Sequence, residues 1–112
     1  LIEAKYTDEA YYPVNLSVLK KIIKEALHEN FRIPVLYVDI QDLKLCIVQE
    51  KDIVRQDEFI PDSYIASTGA SVRLHKSQAQ DETTKNAKRL VLSLKGNSFY
   101  IMSPDDLDHF CL

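Results

Sequence analysis

Residues 35–48, Val35-Leu36-Tyr37-Val38-Asp39-Ile40-Gln41-Asp42-Leu43-Lys44-Leu45-Cys46-Ile47-Val48, decide the fold class. The first six are apolar on both alternating sides, the mark of a strand buried on both faces within a sheet. Gln41-Asp42 reads as a turn, and Leu45 to Val48 returns alongside, so the stretch is a hairpin. Pro34 just ahead cannot continue a helix, which sets where the hairpin begins. The same design recurs 54 residues on: Leu36, Val38, Ile40, Leu45, Ile47, Val48 and Ile53 fall on Leu90, Leu92, Leu94, Phe99, Ile101, Met102 and Leu107. Lys95-Gly96-Asn97-Ser98 supplies the second turn. Upstream, Val14-Asn15-Leu16 echoes Val72-Arg73-Leu74 at an offset of 58. Two readings are open. Either the chain holds two strand–hairpin–helix units in one sheet or two packed sheets, or any two hairpins followed by a helical turn would match this way.

Outward from the first hairpin, Val18, Leu19, Ile22, Ile23, Ala26 and Leu27 follow the i, i+3, i+4, i+7 rule and predict an amphipathic helix over 17–29. Asn15 or Ser17 is suited to cap its start, and Asn30 to stop it. Leu1 to Tyr6 reads as a strand, and Tyr11 to Val14 as part of an aromatic turn. Glu50 to Arg55 reads as a short helical turn, residues 56–68 as irregular, and Gly69 to Leu74 as a short strand. Residues 77–86 are nearly without apolar groups and read as a loop or frayed helix. Ser103-Pro104-Asp105-Asp106 starts a last helix, with Ser as cap, Pro where no N–H is needed, and acids on the positive helix end. The expected class is α/β: a mixed β-sheet with one main amphipathic helix plus a second β-hairpin unit. All of 1–112 forms one domain, with a core unit over 1–55 and a second unit over 69–112.

Composition narrows the functions. The 112 residues suffice for one modest core, and no apolar run is long enough to span a membrane. Cys46 and Cys111 have no metal or staple spacing, so they read as buried free thiols of a cytoplasmic protein. Two glycines, Gly69 and Gly96, exclude P-loop and dinucleotide-binding patterns. His28, His75 and His109 share no ligand spacing. The net charge of -3 is unevenly laid down: residues 1–38 balance, residues 39–72 carry a net -4, and residues 73–95 a net +4.

Glu3-Ala4-Lys5 carries the candidate chemistry. Alternation along a strand sends Glu3 and Lys5 to the same face. A carboxylate there can hold a divalent cation, with the Ala4 carbonyl as a second ligand, while an ammonium orients or deprotonates the attacking water. With seven Glu and ten Lys in the chain, this spacing also arises readily by chance. The plain alternative is a solvated ion pair at a strand end.

The order Leu1-Ile2-Glu3-Ala4-Lys5-Tyr6-Thr7, polar and aromatic turn, amphipathic helix, then Arg32-Ile33-Pro34-Val35-Leu36-Tyr37-Val38 resembles the phage and archaeal Holliday-junction-resolvase-like branch of the PD-(D/E)XK nucleases. Asp52-Ile53 and Asp106-Leu107, with Phe110 close behind, resemble an acidic-apolar turn of phage members. The resemblance covers residues 1–54 well and the remainder loosely. It implies a partial restriction-endonuclease-like core and a metal-dependent DNA endonuclease that cuts duplex or branched DNA with Mg²⁺ or Mn²⁺. In that role Glu3 and Lys5 are catalytic, and Glu3 and Ala4 bind the metal. The family's earlier Asp and Glu have no counterpart ahead of Glu3. The expectation is therefore a truncated form, a homodimer or second polypeptide completing the fold, or a non-catalytic module of the same fold that binds DNA or a protein. Lys20 and Lys24 on the helix, and Arg73, Lys76, Lys85, Lys88 and Arg89 around the polar loop, are the expected DNA contacts; solvated charges are the alternative. Tyr11 and Tyr12 are suited to stack on an unpaired base or to cover the core.

Overall fold

The computed structural model describes residues 1–30 and 32–111. Its elements in chain order are β1 (Ile2–Thr7), β2 (Tyr11–Asn15), α1 (Leu16–His28), β3 (Val35–Ile40), β4 (Leu43–Gln49), β5 (Ser63–Ser67), β6 (Ser71–His75), α2 (Lys76–Ala79), β7 (Leu90–Leu94), β8 (Asn97–Met102) and α3 (Pro104–Cys111). Six strands form one mixed sheet in the order β1-β3-β4-β8-β7-β5, and β2 pairs with β6 as a separate two-stranded ribbon. The class is α/β, with a mixed sheet and one long helix.

The two hairpins meet at the centre of the sheet, where β4 pairs antiparallel with β8 and Ile47 lies opposite Ile101. Each hairpin gains an outer parallel strand, β1 beside β3 and β5 beside β7. Reciprocal bonds relate the halves: the Leu16 N–H donates to the Ala70 carbonyl (2.7 Å), and the Lys76 N–H to the Ala10 carbonyl (2.8 Å). Likewise the Gln41 and Lys95 N–H groups donate to the Thr7 and Ser67 carbonyls. The halves are thus related by a pseudo-two-fold rotation. Upstream the equivalent positions differ by 60, as Ala10 and Ala70 do, and not by the 58 of the sequence echo. Counted from the helix start, Leu16 to Leu36 runs six residues longer than Lys76 to Leu90, and α1 spans 13 residues where α2 spans only 4.

Both hairpin turns place two successive residues at positive φ: Gln41 (48°) and Asp42 (71°), then Lys95 (49°) and Gly96 (77°). This is the tight turn whose twist suits antiparallel strands. Three expectations shift. Residues 63–67, read as irregular, form β5, because pairing with β7 imposes a strand on a short segment of mixed composition. Tyr11–Asn15 forms β2, although Tyr11 to Val14 read as a turn, for the same reason, its partner β6 lying far along the chain. Asn15 occupies the helix-start position, but its side chain makes no capping bond; the Ala70 carbonyl takes the first helical N–H instead. The Ser103 cap is present, its Oγ accepting from the Asp106 N–H (3.1 Å).

One core lies between the sheet and the layer of α1 with the ribbon, built from Leu19, Ile22, Leu36, Val38, Ile47, Leu74, Leu92 and Ile101 among others. A smaller one covers the opposite face, where Phe110 and Cys111 of α3 meet Ile53, Phe59, Cys46 and Met102. Among the described residues no polar side chain is fully buried and no helix is long and apolar enough to cross a membrane.

Candidate functional site

β1 is an edge strand, and its side chains alternate between half-buried and exposed. Glu3, Lys5 and Thr7 sit in register with Leu36, Val38 and Ile40, and so face the α1 side of the sheet. Ile2, Ala4 and Tyr6 face the other way into solvent. Alternation thus brings Glu3 and Lys5 together, with Nζ to Oε1 at 3.4 Å and both side chains about two-fifths exposed. The Tyr12 hydroxyl is close enough to feel both charges. Its pKa is raised, first by burial, with Lys5 opposing and Glu3 adding to the rise.

Mg²⁺ or Mn²⁺ held by protein asks for several hard oxygen donors around the ion. Here one carboxylate is available, and Lys5 already neutralises it. Asp8 is turned to other work, accepting the Tyr6 hydroxyl (2.5 Å) from the strand's opposite face. Among the described residues no three His, Cys, Asp or Glu side chains converge on a common point. The donor set in these residues does not fit a divalent ion, and no hydrolytic step is derived through one.

The expected DNA contacts are dispersed. Lys20 is exposed on α1 above a groove of about 470 Å³ that Lys51, Asn97 and Phe99 also line. Lys24 is exposed one turn further on. The Lys76 ammonium donates to the Gln41 carbonyl (2.8 Å), tying α2 to the first hairpin turn. Lys85 takes a positive φ of 63° in a closed turn where the Asp81 carboxylate accepts from the Thr83 and Thr84 N–H groups. Those backbone bonds hold Asp81 below the usual carboxylate range. Lys88 and Arg89 border a depression shared with Asp62, Asp81, Asp105 and Asp106. Arg89 grips Asp106 through two bonds (3.0 and 3.2 Å) and lies 4.9 Å from the Phe110 ring centre. Its guanidinium is a fastener between β7 and α3. Lys88 and Arg89 of the basic segment therefore fold against acids, three of them (Asp62, Asp105 and Asp106) from outside that segment.

One cluster stands apart on the outer face of the ribbon. Tyr12, Val14, Val72 and Leu74 point to the core, so Tyr11, Pro13, Arg73 and His75 point outward. The Arg73 guanidinium lies 4.8 Å over the Tyr11 ring, and the His75 ring lies 5.5 Å from it. Tyr11 and His75 are directly opposed across the strands, and Arg73 sits diagonally, within reach of a long side chain. The sequence presents Tyr11 and Arg73 separately; only the pairing of β2 with β6 joins them.

No family model matches the chain, no curated protein matches it, and no solved structure matches its fold.

Proposed function

We propose that the protein is a non-catalytic, nuclease-like module of the cytoplasm that binds DNA through the outer face of the β2–β6 ribbon. The observation that carries this reading is the outward-facing stack of exposed Arg73 on half-buried Tyr11, beside exposed His75. A guanidinium and two planar rings together offer a phosphate contact and stacking surfaces for unpaired bases, as a branched or frayed DNA would present. The PD-(D/E)XK kinship is supported by β1, α1 and β3, which form a parallel crossover with Glu3 and Lys5 on its first strand. The cytoplasmic placement is supported by two buried free thiols.

The test is binding of labelled single-stranded, duplex and four-way-junction DNA by fluorescence anisotropy at low and raised salt. Binding is expected to weaken as salt rises. Tyr11→Ala is expected to lose about 1–3 kcal/mol, and Arg73→Ala to weaken binding and flatten the salt dependence. Equal affinity of wild type and both variants, or no binding at low salt, removes the proposal.

The joint projection of Glu3 and Lys5 from one face favours a second reading, a metal-dependent endonuclease whose remaining carboxylates come from a second polypeptide or a second copy. Cleavage of the same DNAs with Mg²⁺ or Mn²⁺, lost in Lys5→Ala while binding persists, would establish it. Absence of cleavage with binding intact supports the non-catalytic module.

A further inference from the structure

The outer edge of β1 has the design of a self-complementary contact. The Val35 N–H donates to the Leu1 carbonyl, and the Gln41 N–H to the Thr7 carbonyl, so the odd-numbered residues turn their backbone groups inward to β3. By alternation, Ile2, Ala4 and Tyr6 turn theirs outward. Among the described residues no strand lies beyond them. Ile2 and Tyr6 are 66% and 68% exposed, an apolar pair on an open sheet edge, which natural folds ordinarily avoid.

We propose that β1 pairs antiparallel with β1 of a second copy of this chain, about a two-fold axis at Ala4, joining two six-stranded sheets into one. Ala4 then faces Ala4 of the second copy, and Ile2 faces Tyr6. These are the outward-pointing residues, so each such pair exchanges two backbone hydrogen bonds. Glu3 faces Lys5 of the second copy, and Lys5 faces its Glu3. They fall at the non-hydrogen-bonded positions, where side chains approach most closely.

The register is singled out by charge. Sliding the pair one way sets Glu3 opposite Glu3, and sliding it the other way sets Lys5 opposite Lys5; only the Ala4-centred pairing matches both charges with their opposites. On the other face, the Tyr6 ring of the second copy arrives at Ile2, beside a mainly apolar depression of about 340 Å³ lined by Ile2, Ile33, Val35, Leu107 and Cys111. The opposite sheet edge lacks this design. β5 carries Ser63, Ile65 and Ser67 where β1 carries Glu3, Lys5 and Thr7. The E-x-K spacing is thereby accounted for without a metal.

The test is sedimentation of the full chain over a concentration series, with circular dichroism confirming that each variant is folded. Wild type is expected to form a concentration-dependent dimer. Glu3→Lys and Lys5→Glu each place like charges opposite one another, twice per dimer, and are expected to weaken it about tenfold or more. The double swap Glu3→Lys/Lys5→Glu restores both matches and the dimer. Ala4→Pro removes an outward N–H, a change an edge strand tolerates, and is expected to give a folded monomer. A wild-type monomer throughout, single variants that dimerise like wild type, or a swap that fails to recover overturns the proposal.

Discussion

Two residues of ordinary chemistry, Cys46 and Cys111, report on the smaller core. Burial pushes the Cys46 thiol up to about 12, with the neighbouring Cys111 and Asp108 adding to the rise. Burial likewise lifts Cys111 to about 11, with Asp52 contributing. An acid whose folded pKa is raised holds its proton more tightly in the fold than in the open chain. The stability it contributes is complete below the unfolded value near 9 and is lost as pH climbs through 11 and 12. Urea midpoints are therefore expected to fall above about pH 9, and Cys46→Ala, less stable at neutral pH, to show a shallower alkaline fall. An unchanged alkaline slope in that variant would mean that other groups set it. Both thiols were legible as buried from the sequence, since no spacing gave them other work. Their proximity was not, because 64 residues separate them.

At the level of elements, the hairpin turns show how much local sequence can specify. Gly96 sits at φ +77°, where L side chains are strained, and a Cβ added there would meet nothing within 4 Å. Gly96→Ala is thus expected to cost about 1–2 kcal/mol from conformation alone, read as a drop in the chemical-denaturation midpoint without change of slope. A loss well above that range would point to a steric clash that the geometry denies. The first turn puts Asp42 at the matching place, a residue type that visits this region at lower cost. Helix α1 was equally legible: apolar spacing over 17–29 predicts an element found at Leu16–His28. β2 and β5 were not. Their pairing partners lie far along the chain, and short strands with mixed composition carry no periodicity strong enough to announce them.

For the molecule as a whole, the pairing of β4 with β8 is decisive. It places the two hairpins in the middle of one sheet, so each half supplies the other with a neighbour for its innermost strand. The ribbon adds a second tie, β2 from one half and β6 from the other. Neither half closes its core alone. The chain is expected to unfold in a single transition, with tyrosine fluorescence and far-ultraviolet circular dichroism giving coincident midpoints. Separate midpoints would mean that the halves fold independently and that their union is an association of two stable units.

What the amino-acid order determined by itself is local: two hairpins, one amphipathic helix, a capped last helix, and the projection of Glu3 and Lys5 to one face. Each of these depends on alternation, helical periodicity or turn chemistry within a few residues. Tertiary structure alone decided which charges stay available. Lys88 and Arg89 belong to a basic segment in the sequence, yet folding sets them among Asp62, Asp81, Asp105 and Asp106. Arg73, from the same segment, is carried across to Tyr11, 62 positions earlier in the chain. Charge and stacking act through space over a few ångströms, and only the closed chain states which groups lie that near.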